Sequence, residues 1–444
     1  MSPRQGHRER TGGLPLTVSG QGKSFDALAM YAFVALGLPD GMIGTAWPAV
    51  RRGFHAPLED LGIVLLVATF GAIASSSVAG LVLGRLGITR MIMLAGTIAA
   101  LGALGIIVSP ALWFFVMSGT GIGVAAGFLD SAVNTAIAVA KRNRLLNLVH
   151  GCYGVGTTIG PLVITAALLI GSWRPGYGVV LAVELIMVTG WWLVGRRTAA
   201  RGPSGPAADA GEPVGPEPVG PEPVDQGPAD QGPVAATETG HPAASVTPEP
   251  ALSRGRMTVT VALGLVVFMV YTGFEVSAGQ WEPSFDRGPL HLGTGATGLA
   301  TFGYWGALTA VRFAFAAPRR PLSQGAIVRW GCVVAVAGAF VVWWRPSTVV
   351  TLLGLVVIGG ALAGVFPALV ALTPSRVGEE MARHVIGWQI GAANIGGSAI
   401  SAVFGAVFQH YGLRNFGPAL VVAAVLTLLG VLVLERAAPA RLGG

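Results

Sequence analysis

Residues 88–139 read ITRMIMLAGTIAALGALGIIVSPALWFFVMSGTGIGVAAGFLDSAVNTAIAV, and within them only Arg90 and Asp130 carry a formal charge. A helical hairpin in water needs a polar face on each arm, and neither arm here has one. Each arm, on either side of Ser109-Pro110, reaches the roughly 20 apolar residues that cross a bilayer's hydrocarbon core. These are membrane helices. Outward from them the same chemistry continues: of 444 residues, 52% are hydrophobic and 11% charged, against about 25% charged in an ordinary soluble domain. A soluble globular protein is excluded.

Windows of about 19 residues give twelve candidate spans, at 26–48, 61–83, 88–108, 111–139, 146–170, 176–195, 257–281, 294–316, 322–344, 348–372, 384–407 and 414–435. The predicted fold class is an all-α membrane protein, its twelve transmembrane helices arranged as two pseudo-symmetric six-helix bundles. Residues 1–25 form a cytoplasmic tail, 26–195 the N-terminal bundle, 196–256 a linker, 257–435 the C-terminal bundle and 436–444 a second cytoplasmic tail. Met1 to Lys23 has no apolar core before Ala27, so the first apolar stretch is expected to be a permanent span, not a cleaved signal.

The linker contains Glu212-Pro-Val-Gly-Pro, then Glu217-Pro-Val-Gly-Pro, then two Asp-Gln-Gly-Pro units from Asp225 and Asp230. Proline removes backbone donors, and acidic charge with few large apolar groups favours a solvated, disordered tether. Residues 202–253 hold eight acids and no Lys or Arg, so the formal charge of +7 becomes +15 elsewhere. With the N-terminus in the cytoplasm, 21 of the 28 Lys and Arg fall on the inner side, six on the outer side and Arg312 within a span. That asymmetry predicts a multi-pass protein of the cell inner (cytoplasmic) membrane with both termini and the linker on the cytoplasmic side. The basic balance reads as a topology signal facing lipid, and no base-reading motif points to nucleic acid.

The halves match at a register of 235–237 residues: Gly127 with Gly364, Gly154 with Gly391, Gly160 with Gly397, and Asp40 opposite Glu275. Duplication places a binding site near the bilayer midplane, between bundles that rock against each other.

Charges inside spans cost about 2.5–3.5 kcal/mol at the bilayer centre on insertion scales and so mark function. Asp40, Asp130, Glu184 and Glu275 qualify. Asp40 lies roughly 21 Å and Asp130 roughly 15 Å from the inner ends of their helices at 1.5 Å per residue. Asp130 and Asn134, four apart, share a helical face, with Ser131 beside them. Low dielectric disfavours an ionised carboxyl, so such a group holds a proton and releases it when water or a partner charge arrives. The alternative is a plain interhelical hydrogen bond. Glu275, four residues after Tyr271, lies toward the outer end of the seventh span. Glu184 has no polar company.

The fifth span opens with Asn147-Leu-Val-His150-Gly-Cys-Tyr153-Gly-Val-Gly. His150 and Tyr153, three apart, share a face, and a histidine relays protons near neutrality. Trp47, Tyr153, Tyr271, Trp281, Tyr304, Trp305 and Trp388 offer apolar rings with polar handles for a sugar, or equally an interfacial belt. Gln389 and Asn394 add neutral hydrogen-bonding groups. Arg312 is expected to snorkel toward the inner surface. Cys152 and Cys332 make neither a disulfide framework nor a metal site. No phosphate-binding loop, nucleophile triad or metal cluster is legible, so no enzyme activity, cofactor or metal is expected and energy comes from a gradient.

Gly80-Leu-Val-Leu-Gly84-Arg85-Leu-Gly87-Ile-Thr-Arg90 resembles the cytoplasmic gating-loop motif of the major facilitator superfamily, with Gly84 where an aspartate is usual. Asp40, Asp130-Ser-Ala-Val-Asn134, Asn147-Leu-Val-His150 and Tyr304-Trp305-Gly306 to Arg312 resemble the fucose-galactose-glucose:proton symporter, or L-fucose permease-like, family. That resemblance implies that Asp40 contacts and couples to substrate and that Asp130 carries the proton, where the family has a glutamate. Tyr153 takes a place the family gives to asparagine. A second likeness, of Gly156-Thr-Thr-Ile-Gly160-Pro161 to the start of a drug:proton antiporter motif, breaks off at Ile164 and Thr165, and Ser118 stands where such exporters carry an arginine.

The expected function is secondary transport by alternating access: proton-coupled symport of a sugar or similar small polar solute, or alternatively proton-coupled efflux of a drug or metabolite. The substrate-binding set is Asp40, Asn134, His150, Tyr153, Tyr271, Glu275, Gln389 and Asn394. The expected partners are solute, protons and lipid, and the expected state is a monomer.

Overall fold

The computed structural model describes residues 23–140, 142–200, 254–316 and 323–438, and among them there is no strand. The N-terminal half runs α1 (Lys23–Phe54), α2 (Asp60–Leu86), α3 (Ile88–Val108), α4 (Leu112–Val139), α5 (Asn143–Leu169) and α6 (Arg174–Ala200). The C-terminal half runs α7 (Arg254–Arg287), α8 (Thr294–Ala316), α9 (Gln324–Trp344), α10 (Thr348–Leu362), α11 (Val365–Ala371), α12 (Thr373–Val377), α13 (Glu379–Tyr411) and α14 (Phe416–Ala437). All twelve expected spans are helical, although the outer helices overrun them: α1 continues past 48 to Phe54 and α7 past 281 to Arg287. Helix also takes both edges of the expected linker; its remainder, 201–253, and most of each tail lie outside the described residues.

Eleven stretches among the described residues are long and apolar enough to cross a membrane. Helix α8, 23 residues long, is not among them, because Thr297, Thr301, Tyr304, Thr309 and Arg312 dilute its apolar content. Those side chains face protein instead of lipid, with Thr297, Thr301 and Tyr304 at most 3% exposed. The tenth span is broken between α10 and α11. Pro367 has no N–H to offer the carbonyl of Ala363, four residues earlier, and the helix parts at Ala363-Gly364.

Packing between helices rests on small residues, as expected where burial from lipid gives no hydrophobic gain. Along α1 and α5, a Cβ on Gly160 would lie 2.7 Å from the Leu38 carbonyl oxygen, and one on Gly156 would lie 3.0 Å from the Leu38 nitrogen. Backbone cannot yield as a side chain can. Gly156→Val is therefore expected to cost about 1–3 kcal/mol or more by overpacking, seen as a lowered Tm of the purified protein. An unchanged Tm would mean that α1 and α5 are not held this closely.

The duplication is visible in which helices meet. Gly160 of α5 packs on α1 as Gly397 of α13 packs on α7, where an added Cβ would lie 3.3 Å from Val276. The halves meet centrally along α1 and α7 and along two flanking seams, α5 with α8 and α13 with α2. The termini side of the molecule is here called the near face, the other the far face. At the far face both seams are shut by matching contacts, Gly298 against Thr165 and Gly62 against Ala402; the two glycines are 236 residues apart, and their partners 237. Toward the near face the α5–α8 seam stays shut, with Gly151 on Phe313 and Gly154 on Thr309. The α2–α13 seam opens. Gly80 lies five turns along α2 from Gly62, on the same face, and Gly391, the counterpart of Gly154, lies three turns from Ala402; each faces open space.

Candidate functional site

Asp40 sits mid-helix on α1, exposed while Pro39 and Gly41 beside it are buried. Both of its polar ends are held by other helices. Its Oδ2 accepts from the Tyr153 hydroxyl of α5 at 2.7 Å, and its carbonyl accepts from Gln280 Nε2 of α7 at 2.9 Å. The residue thus lies where α1 meets α5 of its own half and α7 of the other, so the water that reaches Asp40 lies in a crevice between the bundles, open toward the near end of the α2–α13 seam.

A second polar group forms on α4 and α5. The four-residue spacing brings Asn134 Nδ2 to Asp130 Oδ1 at 2.9 Å. His150 is exposed, stacks edge-on against Phe33 at 5.3 Å between centroids, and lies within electrostatic reach of Asp130 and Arg312. Thus His150 lies between a carboxyl group on α4, which favours its charged form, and a cation on α8, which disfavours it.

The third group belongs to the C-terminal half. Arg312 does not snorkel to the surface as expected. Its Nη2 donates to Glu275 Oε1 at 3.1 Å and its Nε donates to the Ala363 carbonyl at 3.3 Å, the acceptor that Pro367 leaves free. The Tyr271 hydroxyl lies between two acceptors that share its one proton, the Glu275 carboxylate and, at 2.9 Å, the Leu362 carbonyl at the same helix break. Tyr304 caps the Glu275 carbonyl at 2.7 Å. A broken helix inside a membrane protein is tolerated where side chains re-satisfy its backbone, and here a cation and a phenol do so. Tyr153 lies within electrostatic reach of Glu275 and Arg312 as well as Asp40, so the first and third groups adjoin each other across the two halves.

Two expected members stand apart. Gln389 is buried and accepts from Thr373 at 3.0 Å, beside a small recess with Thr260 and Arg376 within the C-terminal bundle. Asn394 is exposed on α13. The expected ring-lined cavity is largely core: Trp47 and Trp281 are fully buried and donate to the Leu58 and Ser401 carbonyls, each at 3.0 Å, Tyr271 and Tyr304 are also fully buried, and Trp388 is 54% exposed. In the loop motif Gly80, Gly84, Arg85 and Arg90 are exposed, and Gly87 has φ +73°, which allows its N–H to cap Leu83.

Sequence reasoning missed Gln280, whose amide ties α7 to Asp40, and Thr158 with Thr309, whose hydroxyls meet at 3.0 Å across the α5–α8 seam. It also missed Glu282 and Asp286, four apart on α7 and at most 1% exposed, whose carboxylate oxygens have no hydrogen-bond partner. A polar residue flanked by buried aromatics was the available signal, since Glu282 follows Trp281.

A family model for the Major Facilitator Superfamily matches residues 29–401. The structure is similar to an inward-open xylose transporter XylE from E. coli, with a TM-score of 0.67 at 12% identity, covering 95% of this chain and 97% of that one. It is also similar to a D-xylose-proton symporter, with a TM-score of 0.66 at 12% identity over 95% and 99% of the chains. A point mutant of the nucleoside transporter NupG gives a TM-score of 0.63 at 12% identity over 93% and 99%. At such identity the likeness is one of fold. Bypass of stop codon protein 6 of Saccharomyces cerevisiae is 23% identical over 144 residues, 32% of this chain and 29% of that protein, so the chain spans under a third of that relative's length. Twelve spans in two duplicated halves around a polar crevice, together with a family match over most of the length, lead to one assignment: the chain belongs to the Major Facilitator Superfamily, a family of multi-pass secondary transporters.

Proposed function

We propose that the protein is a proton-coupled symporter of a sugar or similar small polar solute, working by alternating access in the cytoplasmic membrane with its near face toward the cytoplasm. The observation that carries this reading is Asp40, a water-reached carboxylate held by Tyr153 of α5 on a residue whose backbone carbonyl accepts from Gln280 of α7. A solute that displaces the Tyr153 hydroxyl from Asp40 acts at the residue through which α1 meets α7 of the other half, a place where binding can bias a rocking motion. Asp130, with Asn134 and His150, is the proton carrier. Glu275, Tyr271 and Arg312 complete the substrate side. The likeness of the motifs around Asp40 and Asp130 to sugar:proton symporters, and a fold shared with xylose transporters, support a sugar-like solute. The excess of basic residues on the near face supports its cytoplasmic placement.

The second reading, proton-coupled efflux, is favoured by the tight packing of Gly156 and Gly160 on α1, in the segment that resembles the antiporter motif. One experiment separates the two. In cells or oriented vesicles offered a panel of sugars, symport gives solute-dependent alkalinisation of the external medium, whereas efflux gives lowered dye or antibiotic accumulation and no such signal. Solute flux indifferent to an imposed pH gradient would overturn the proton-coupled reading.

A further inference from the structure

In the C-terminal half the carbonyl freed by Pro367 is met by Arg312. The N-terminal half has a comparable defect with a different neighbour. Pro39, inside α1, offers no N–H to the carbonyl of Ala35. Ala35, Leu36 and Pro39 line a cavity of about 20 Å³ that Glu184 of α6 also lines, and its remaining walls, from α3 and α4, are apolar. Glu184 is 4% exposed, and its Oε2 has no hydrogen-bond partner. Tyr31 of α1 is the titratable group that faces it, and its hydroxyl is directed to the Val183 carbonyl at 3.0 Å. No ion pair among the described residues includes Glu184.

An ionised carboxylate without a counter-charge in such a setting costs far more than a neutral acid with a hydrogen bond. The cavity exceeds the roughly 10–15 Å³ that one water needs, and a water there has three partners within the walls: the acid O–H, the acid C=O and the Ala35 carbonyl. We propose that Glu184 is a proton-binding site of the N-terminal bundle, its neutral carboxyl joined through one water to the carbonyl that Pro39 frees, directly behind Asp40. The chemistry is a simple protonation, carboxylate plus proton giving the acid. Because Pro39 precedes Asp40, the occupancy of this site bears on the missing backbone hydrogen bond of α1 beside the crevice carboxylate.

Infrared difference spectroscopy of the reconstituted full-length protein at neutral pH tests the site without any transport measurement. Wild type minus Glu184→Gln, a nearly isosteric change, is expected to show the loss of one protonated-carboxyl C=O band that shifts in D2O. Loss of carboxylate bands in its place would overturn the proposal. Asp40→Asn and Asp130→Asn are expected to leave that band in position, so it is not theirs. Ala99→Val, which fills the cavity, is expected to move the band to higher wavenumber by expelling the water. A band that does not move would refute the bridge. None of these outcomes depends on which solute is carried, so failure here leaves the symport reading standing.

Discussion

Asp130→Asn is expected to abolish solute-dependent alkalinisation and accumulation driven by a pH gradient while leaving solute exchange in place. The substituted amide can still accept from Asn134, now 2.9 Å from the Asp130 carboxylate, so the α4 stripe keeps its hydrogen bond and the bundle its packing. What the variant lacks is a group that takes up and releases a proton. Exchange between labelled solute outside and unlabelled solute inside needs no net proton movement, so it measures the binding site and the rocking motion alone. The pair of assays therefore distinguishes a lost coupling group from a damaged fold. Continued pH-driven accumulation by Asp130→Asn would remove the residue from the coupling role.

The second large effect concerns the Glu275–Arg312 pair. Its side chains are 11% and 29% exposed, and the cation also holds the Ala363 carbonyl. Removing one partner strands the other charge and frees a backbone acceptor, so Arg312→Ala is expected to destabilise by about 3 kcal/mol, the low end for a buried pair because Arg312 keeps some water. Replacing both charges by neutral groups of similar volume, Glu275→Gln with Arg312→Met, removes the stranded charge and is expected to recover most of that loss. Solute transport should not recover with it, because the crevice has then lost its cation. Thermal unfolding and transport measured on the same three proteins read the two effects separately. Recovery of transport in the double variant would show that the pair is purely structural.

These residues show why some of the arrangement was legible in the sequence and some was not. Helical spacing alone places Asn134 beside Asp130, and a periodic apolar run places each span, because both are properties of one helix. Arg312 and Glu275 are 37 residues apart on different helices, and nothing local says that the helix break near Pro367 would leave a carbonyl for the guanidinium. A lone arginine within a span therefore read as a snorkelling side chain. Glu282 and Asp286 were passed over for a related reason: acids after Trp281 look like the end of a span, whereas α7 continues to Arg287 and buries both. Likewise Gln389 carried the right chemistry on an expected helix, but its rotation about the α13 axis directs it to Thr373.

The far-face closure is built from modest parts. Beyond the glycine approaches, it has the Leu58 amide donating to Gln409 at 2.8 Å, a neutral hydrogen bond across the halves. Such a bond is worth about 1 kcal/mol net, since water replaces it when it opens. A single bond of that strength adds little to the closure, so in the proposed alternating-access cycle the binding of a proton or a solute needs only a modest differential affinity to offset it. Which way the cargo then moves is set by the gradients of solute and proton across the bilayer.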